Sequence, residues 1–345
     1  MSFDKNLIKI DNQSLELLNK DGYFNIGGDA EFVKFSDAQP TFTQQNIGMP
    51  AGILSSLNNK AIYNILNARN ADKILGKREK LLDWADQDYY IPLIERTGQT
   101  TPYSDNAMPI FAGMNINFDR VGHYRFTCAY RYENLKAAQV SKAKLDYASI
   151  VTSAVTEAMA VELNRTAFNG YLENSGNSFL CYGLLNNPNL ANYENSAKTF
   201  ATMTWQEIMA FFAGAVGKLV EQSGQNITAD SKIRVAISYK AYTTLISVRT
   251  DLGISVYQEI LNTYRGMEFI PAIELDNANN NQNVIYFIGE DVAGGVDDTT
   301  MLGYSELALM SNTQLEYFGY SQAMAAGTCG SLVFKPLFIV RYTNI

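Results

Sequence analysis

The chain has 345 residues, of which 47% are hydrophobic and 12% aromatic, so it can bury one elaborate core or two smaller ones. Its formal net charge of −8 argues against a dedicated nucleic-acid-binding protein, since contacts with phosphates require clustered lysines and arginines. The N-terminus predicts no signal peptide, and no apolar stretch approaches the length of a membrane span.

The first part of the chain is predicted to be an arm followed by a helix. Residues 1–50 show weak periodicity, which is typical of an extended segment that orders only against something else, often a neighbouring subunit. Apolar residues then recur at helical steps of three and four: Leu54, Leu57, Ala61, Ile65 and Ala68. Four basic residues follow them: Lys73, Lys77, Arg78 and Lys80. We expect a solvated helix end here, with a face turned toward nucleic acid as the less favoured alternative.

The next region is predicted to contain strands. The segment "DQDYYIPLIERTG" indicates a strand that stops at Gly98, and an aperiodic loop with two prolines follows it. Two runs then alternate apolar and polar residues, Met114 to Phe118 and Tyr124 to Tyr132, with the turn-like "DRVGH" between them. This pattern predicts a long antiparallel ribbon with one apolar face, which a sheet or a neighbour must cover.

A long helix is predicted from about Ser141 to Tyr171, where no proline and no glycine before Gly170 interrupts the pattern. Its narrow apolar stripe indicates that one side packs closely against a sheet. The stripe consists of Leu145, Ala148, Thr152, Val155, Ala158 or Met159, and Leu163. After the Asn169-Gly170 exit, Gly183 permits close backbone approach, while Leu184 and Leu185 are expected to anchor the turn in the core.

The second half alternates helix and strand. Thr204 to Glu207 and Ser255 to Gln258 have the spacing of capping boxes that open helices. Four segments are expected to be strands: "KIRVAISY", "MEFIPAIEL", "NVIYFIGE" and the closing "GSLVFKPLFIVRYTNI". This alternation predicts an α/β domain, with the last strand returning to pack near the long helix.

The sequence contains almost none of the motifs that are typical of catalytic sites. There is no GxSxG elbow, GxxxxGK[ST] loop or HExxH motif, and His123 is expected in a turn without a nearby nucleophile. The acidic side chains of "GEDVAGGVDDTT" would repel phosphate, which leaves a solvated loop or, less favoured, a loosely bound cation: Glu290, Asp291, Asp297 and Asp298. The remaining aspartates of interest are read as surface residues: Asp83, Asp86 and Asp88.

The cysteines do not alter this interpretation. Cys128, Cys181 and Cys329 lack CxxC spacing, and one histidine is too few for an ordinary zinc site. They are expected to be reduced cytosolic thiols. We therefore predict a protein that is not an enzyme and has no catalytic residues, cofactor or metal.

Several segments together resemble the major capsid proteins of tailed bacteriophages with the Hong Kong 97 fold, in a group first catalogued as a phage structural protein of unknown function. The first segment is "NIGMPAGILSSLNNKAIYNILNARNADKILGKREKLLDW", with its Pro50-Ala51 opening, its helix and its Asp83-Trp84 exit. The second is "YYIPLIERTGQTTPYSDNA", which contains a Glu-x-Thr-Gly motif. The other two are the turn "YGLLNNPNL" and the ending "AAGTCGSLVFKPLFIVRYTNI". Their order and spacing cover residues 46–345.

The resemblance implies an α+β fold of named parts. These are an N-terminal arm (1–50), a first part of the peripheral domain (51–96), an extended β-hairpin loop and its base (97–132), the long spine helix of the peripheral domain (133–189), an α/β axial domain (190–325) and a C-terminal strand returning to the peripheral domain (326–345).

The same resemblance implies a function in the virion. Copies of the chain would assemble into pentamers and hexamers of an icosahedral head that encloses double-stranded DNA without sequence specificity. Portal, scaffolding and decoration proteins are the further partners it implies, with no membrane, and assembly would take place in the host bacterial cytoplasm. The first alternative is the shell of an encapsulin-type protein compartment, which has the same fold and encloses a protein cargo. The second is an enzyme with a metal or nucleotide site that no sequence motif reveals.

Overall fold

A computed structural model describes residues 69–102, 105, 110–142, 146–173, 179–228, 230–290 and 299–345. The expected N-terminal arm and the helix predicted from Ala51 lie outside these residues. The α-helices in the described part are α1 Ala71–Leu75, α2 Asn134–Lys142, α3 Tyr147–Asn169, α4 Trp205–Gln222, α5 Tyr239–Ser247 and α6 Val256–Thr263. Short 3-10 helices occupy Ile273–Leu275 and Pro336–Phe338.

The strands are short except in two regions. They are β1 Lys77–Lys80, β2 Asp88–Thr97, β3 Gly113–Gly122, β4 Tyr124–Glu133, β5 Tyr171–Leu172, β6 Phe179–Cys181, β7 Glu194–Asn195, β8 Ile233–Ser238, β9 Met267–Ala272, β10 Val284–Gly289, β11 Thr300–Tyr304, β12 Leu309–Met310, β13 Gln314–Glu316, β14 Gly319–Val333 and β15 Ile339–Thr343.

The chain divides into two compact units. The larger comprises the described residues within 67–130, 153–314 and 321–345, and the smaller those within 131–152 and 315–320. The helix-rich, five-stranded part of the larger unit holds most of the buried apolar side chains.

A five-stranded sheet in the order β7-β15-β10-β8-β9 lies at the centre of this part. Alternate residues of the middle strands enter two different cores: Val235 and Phe287 pack with α4, whereas Ala236 and Tyr286 pack with α1 and the end of α3. Because both faces are covered, every residue of β8 and β10 is buried. The apolar residues Ile233, Val235 and Ile237 of β8 thus face the core with α4, while its other face is also buried although it carries Arg234 and Ser238.

The helix against this sheet begins as its sequence predicts. The backbone N–H of Glu207 donates to Thr204 Oγ1 at 3.4 Å, and the N–H of Thr204 donates to Glu207 Oε2 at 2.8 Å, which completes the capping box. At the second predicted box, the Gln258 N–H donates to Ser255 Oγ at 3.3 Å. The Gln258 side chain, however, donates to Asn262 Oδ1, so this cap is a single hydrogen bond and not a box.

A six-stranded sheet contains β1, β11, β14 and β12 in that order, and β4 and β13 also pair with β14. Val155 and Met159 of α3 pack on Met324 and Ala326 of β14 in one cluster. The prediction that the apolar stripe of the long helix lies against a sheet is therefore confirmed at these residues.

The predicted extent of this long helix is wrong. Instead of one helix from about Ser141 to Tyr171, two helices are present, α2 and the 23-residue α3. The end of α3 is as expected, because Gly170 adopts φ +67° directly after Asn169.

The pairing predicted for the ribbon is also wrong. β3 does not pair with β4 across "DRVGH"; it pairs antiparallel with β2 over ten residues, from Asp88↔Gly122 to Thr97↔Gly113. β4 instead joins β14 in the six-stranded sheet. The alternation in β3 and β4 is real, but the two strands serve different sheets.

The C-terminal region differs from the expected single returning strand over 326–345. β14 ends at Val333 in the six-stranded sheet, and Pro336 then opens a 3-10 helix. β15 follows it and pairs with β10 and β7 in the five-stranded sheet. Since proline lacks the N–H that a continuing ladder needs, a break at this point has a direct cause.

Candidate assembly surfaces

The β2–β3 ribbon is a two-stranded sheet with most of its length in solvent. On one face, Pro92 lies opposite Phe118, and Ile94 lies opposite Ile116. Ile94 and Phe118 are each 61% exposed. An isolated two-stranded ribbon is marginally stable in water, and an exposed contiguous apolar patch marks an interaction surface. This apolar ribbon face, formed by Pro92, Ile94, Met114, Ile116 and Phe118, therefore has the character of a surface that a partner covers.

The other face of the ribbon is more polar, although Leu93 lies on it opposite Asn117. The Asn115 side chain donates a hydrogen bond to Glu95 Oε2 at 3.3 Å, and Asn117 Oδ1 accepts one from the Phe118 N–H at 2.9 Å. The two faces differ in polarity because successive residues of a strand point to opposite faces.

The base of the ribbon packs against the rest of the larger unit. Arg120 Nε lies 2.9 Å from Asp88 Oδ1 and joins the two strands there, and Val121 is buried in a cluster with Cys181 and Leu332. A Cβ added at Gly122 would lie 2.7 Å from the Leu180 carbonyl oxygen, so glycine is required where the ribbon meets β6. The ribbon thus projects from an anchored root.

A second apolar surface lies in the smaller unit and was not anticipated. An open groove of about 1060 Å³ is lined by Leu135 and by the consecutive residues Leu315 to Gly319. Tyr317 is 102% exposed and Phe318 82%. The Asn134 N–H donates to the Phe318 carbonyl at 2.9 Å, and Arg131 pairs with Glu316 at 3.0 Å beside the groove. The run "LEYFG" was the available signal, because adjacent bulky apolar residues cannot all face one core.

The turn after α3 is assembled as the sequence predicts. A Cβ added at Gly183 would lie 2.2 Å from the Phe168 carbonyl oxygen, so the two backbones approach closely. The N–H groups of Leu184 and Leu185 donate to Ala167 and Phe168 carbonyls at 2.9 Å each. Leu184 is buried and Leu185 packs partly buried in the same cluster. The last carbonyls of the helix are satisfied by this turn.

The position of His123 corrects the sequence interpretation. It is 4% exposed, and Ser305 Oγ lies 2.8 Å from its Nε2. The expectation of no nearby nucleophile was therefore wrong. The sequence did not indicate this contact because 182 positions separate the two residues. Ser305 is itself fully buried, so no substrate reaches this pair, and a hydrolytic role does not follow.

The other titratable residues considered above form structural contacts. Glu290 pairs with Arg234 at 3.1 Å and Lys232 at 3.5 Å, while residues 291–298 of the acidic loop lie outside the described part. Asp86 Oδ2 accepts the Asp83 N–H at 2.9 Å. Within the described ranges, no group of three or more His, Cys, Asp or Glu could hold a metal ion.

The cysteines are free thiols, and burial raises the pKa of Cys181 and of Cys329 to about 12. Neither is a reactive thiolate near neutral pH.

No helix within the described ranges is both long and apolar enough to cross a bilayer.

The basic cluster is not a helix end. Lys73 lies in α1, and the other three lie on β1. Carboxylates pair with each of these three: Lys77 with Glu79 at 2.9 Å, Arg78 with Asp72 at 3.2 Å, and Lys80 with Glu306 at 2.5 Å. This pairing neutralises the charge that a nucleic-acid face would need.

Comparisons with solved structures identify the fold as a mixed helix and sheet fold similar to Hong Kong 97-like phage capsids. The capsid of Myoviridae phage XM1 is similar with a TM-score of 0.71 at 11% identity, covering 87% of this chain and 100% of that one. The capsid of a native GTA particle gives 0.58 at 9% identity, with 85% and 96% covered. The capsid of cyanophage P-SCSP1u gives 0.55 at 12% identity, with 91% and 99% covered.

No curated protein matches the sequence. The family model of the Pa193 gp26 major capsid protein matches residues 40–344, nearly the whole chain. This match favours a phage shell over the encapsulin-type compartment, and such a protein is a structural component of the virion. The chain belongs to the Pa193 gp26 major capsid protein family.

Proposed function

We propose that copies of this chain form pentamers and hexamers that tile an icosahedral head around double-stranded DNA. In this proposal the β2–β3 ribbon is the extended loop, so the loop spans Asp88–Gly122 rather than 97–132. α3 is the spine helix of the peripheral domain, and the five-stranded sheet with α4, α5 and α6 is the axial domain. β15 then belongs to the axial domain, with residues 1–50 as the N-terminal arm.

The observation that carries this proposal is the apolar ribbon face. A monomer leaves Ile94, Ile116 and Phe118 more than half exposed, which costs free energy in water that a neighbouring copy would recover. A shell repeats this contact many times, so individually weak contacts add to a stable lattice.

The proposed cargo and partners follow from charge and from the needs of a head. The net charge of −8 disfavours tight adhesion to DNA, which suits a container that must release its genome. Portal, scaffolding and decoration proteins are proposed as further partners, and assembly is proposed in the host cytoplasm.

The test is a matched pair of charge substitutions on adjacent residues of β3. Ile116→Asp places a carboxylate on the apolar ribbon face, whereas Asn117→Asp places one on the opposite, more polar face. Both positions are solvent-exposed, so each variant is expected to fold, with stability changes within about 0.5 kcal/mol. Electron microscopy and sedimentation should show shells or capsomers for wild type and Asn117→Asp, and dispersed subunits for Ile116→Asp.

A wild-type chain that stays monomeric under all assembly conditions, with its scaffold added, contradicts the proposal. Normal shells from Ile116→Asp would contradict the specific role of the ribbon face.

A further inference from the structure

The only histidine of the chain ties together three segments at the root of the ribbon. His123 lies between β3 and β4, and its backbone N–H donates to the Gln87 carbonyl at 2.9 Å. Its Nδ1 lies 2.7 Å from the Asp86 carbonyl oxygen, and its Nε2 lies 2.8 Å from Ser305 Oγ. The loop before β2, the end of β3 and the segment after β11 therefore meet on one imidazole.

These contacts fix the protonation of the ring. A carbonyl oxygen only accepts hydrogen bonds, so Nδ1 must carry the proton toward Asp86. Nε2 is then the acceptor of the Ser305 hydroxyl proton. The neutral imidazole satisfies both partners. Protonation makes Nε2 a donor, so the Ser305 hydroxyl must turn to accept from it and loses this acceptor for its own proton, while the buried ring becomes a cation.

The ring has no room to move away from these partners into solvent. A Cβ added at Gly327 would lie 2.3 Å from both His123 Nε2 and Ser305 Oγ, so β14 closes directly over the pair. Ser305 is held in turn, because its N–H donates to the Gly327 carbonyl at 2.9 Å. The edge of the Trp84 ring covers the imidazole from the loop side, with 6.3 Å between ring centroids.

We propose that His123, Asp86, Ser305 and Gly327 form an acid-sensitive latch that holds the root of the β2–β3 ribbon while the imidazole is neutral and loosens it when the imidazole is protonated. The latch would set how freely the ribbon moves, whatever surface the ribbon contacts.

The charges around the ring support release by acid. From β4, the Arg125 guanidinium donates to the Trp84 and Asp86 carbonyls, so it shares the Asp86 oxygen with the ring and would repel an imidazolium there. From the loop, the Asp86 carboxylate is engaged with the Asp83 N–H. Beside Ser305, Glu306 is paired with Lys80, and Gly327 of β14 brings no charge.

Burial lowers the pKa of His123 below its usual 6.5, and Arg125 adds to this against the opposing effects of the Asp86 hydrogen bond and carboxylate. An opened root, where the ring is solvated, binds the proton more tightly than the closed root. Opening is therefore unaffected well above pH 6.5 and is increasingly favoured as the pH falls below it. The opening equilibrium can increase by up to about tenfold at pH 5.5.

The experiment is amide hydrogen exchange on the full-length chain at pH 7.5 and 5.5, corrected for the intrinsic pH dependence of exchange. Wild type should lose protection up to about tenfold at residues 84–90 and 118–126, with strand β8 as the internal reference. His123→Gln has an uncharged donor and acceptor at every pH and should abolish this acid-induced loss. An equal loss in His123→Gln, a loss of the same size in β8, or no loss in wild type would overturn the proposal.

A second measurement covers the case in which the Gln variant fails to fold. Because the chain has a single histidine, one imidazole resonance in a nuclear magnetic resonance titration reports this site. A pKa below 6.5 that rises to the solvated value in denaturant supports the latch, and a native pKa at or above 6.5 rejects it.

Discussion

At the residue scale, Gly183 shows how one missing side chain determines a chain path. Gly183→Ala places a methyl group 2.2 Å from the Phe168 carbonyl oxygen, and the three nearest atoms all belong to the backbone of Phe168 and Asn169 at the end of α3. Because backbone atoms cannot rotate away, we expect a loss of about 1–3 kcal/mol in the free energy of unfolding, measured by urea denaturation.

The matched control is another glycine with open surroundings. Gly214 is exposed in α4, and nothing lies within 4 Å of an added Cβ. Gly214→Ala should therefore gain up to about 1 kcal/mol, because alanine is the better helix former. Equal effects of the two substitutions would show that the close approach at Gly183 does not govern stability.

Individual residues also show which contacts the sequence can predict and which it cannot. The role of Gly183 with Leu184 was predictable, because a glycine followed by two leucines after a helix exit has a local cause. The Ser305 contact with His123 was not, because no local rule links residues so far apart in sequence. It depends on which strand lies beside which, and periodicity carries no such information.

At the element scale, the cap of α4 is a local device whose contribution can be measured. Thr204→Ala removes the oxygen that accepts the Glu207 N–H and should cost about 1 kcal/mol of stability. Thr204→Ser keeps that oxygen and should stay within a few tenths of a kcal/mol of wild type. Thermal and urea unfolding of both variants check this, and an undiminished stability of the alanine variant would show that packing alone holds the helix.

The sequence-based prediction of strand pairing and element boundaries failed where tertiary pairing, rather than the local pattern, decided the structure. β3 alternates because one ribbon face is apolar, and β4 alternates because one side packs under α3, so adjacent runs with the same period appeared to be one hairpin. α5 was missed because Tyr239 continues the alternation of β8, although Ser238 Oγ accepts the Ala241 N–H and begins a helix there. Capped α4 was predictable since its cap and its apolar stripe agree.

At the scale of the whole molecule, exposed apolar surface is unevenly distributed. The middle strands β8 and β10 are buried throughout, while the ribbon and the groove at Leu315 to Gly319 leave large side chains in solvent. Because the chain builds so complete a core, incomplete folding of that core does not explain why these apolar side chains are exposed. Their exposure in the single chain is understandable if folding and assembly are separate steps that bury different residues.

This separation predicts different thermal behaviour for assembled and dispersed chains. Anything that binds only the native chain raises its unfolding temperature by mass action, so the Tm of wild type should increase with protein concentration. Tyr317→Ser removes a fully exposed ring, so it should leave the Tm of dispersed chains unchanged while weakening the concentration dependence. Tyr317→Phe keeps the ring and should behave as wild type. Calorimetry over a hundredfold range of concentration, with sedimentation to score assembly, distinguishes these outcomes. A Tm that does not vary with concentration in wild type, or the same dependence in Tyr317→Ser, would mean that the groove takes no part in holding copies together.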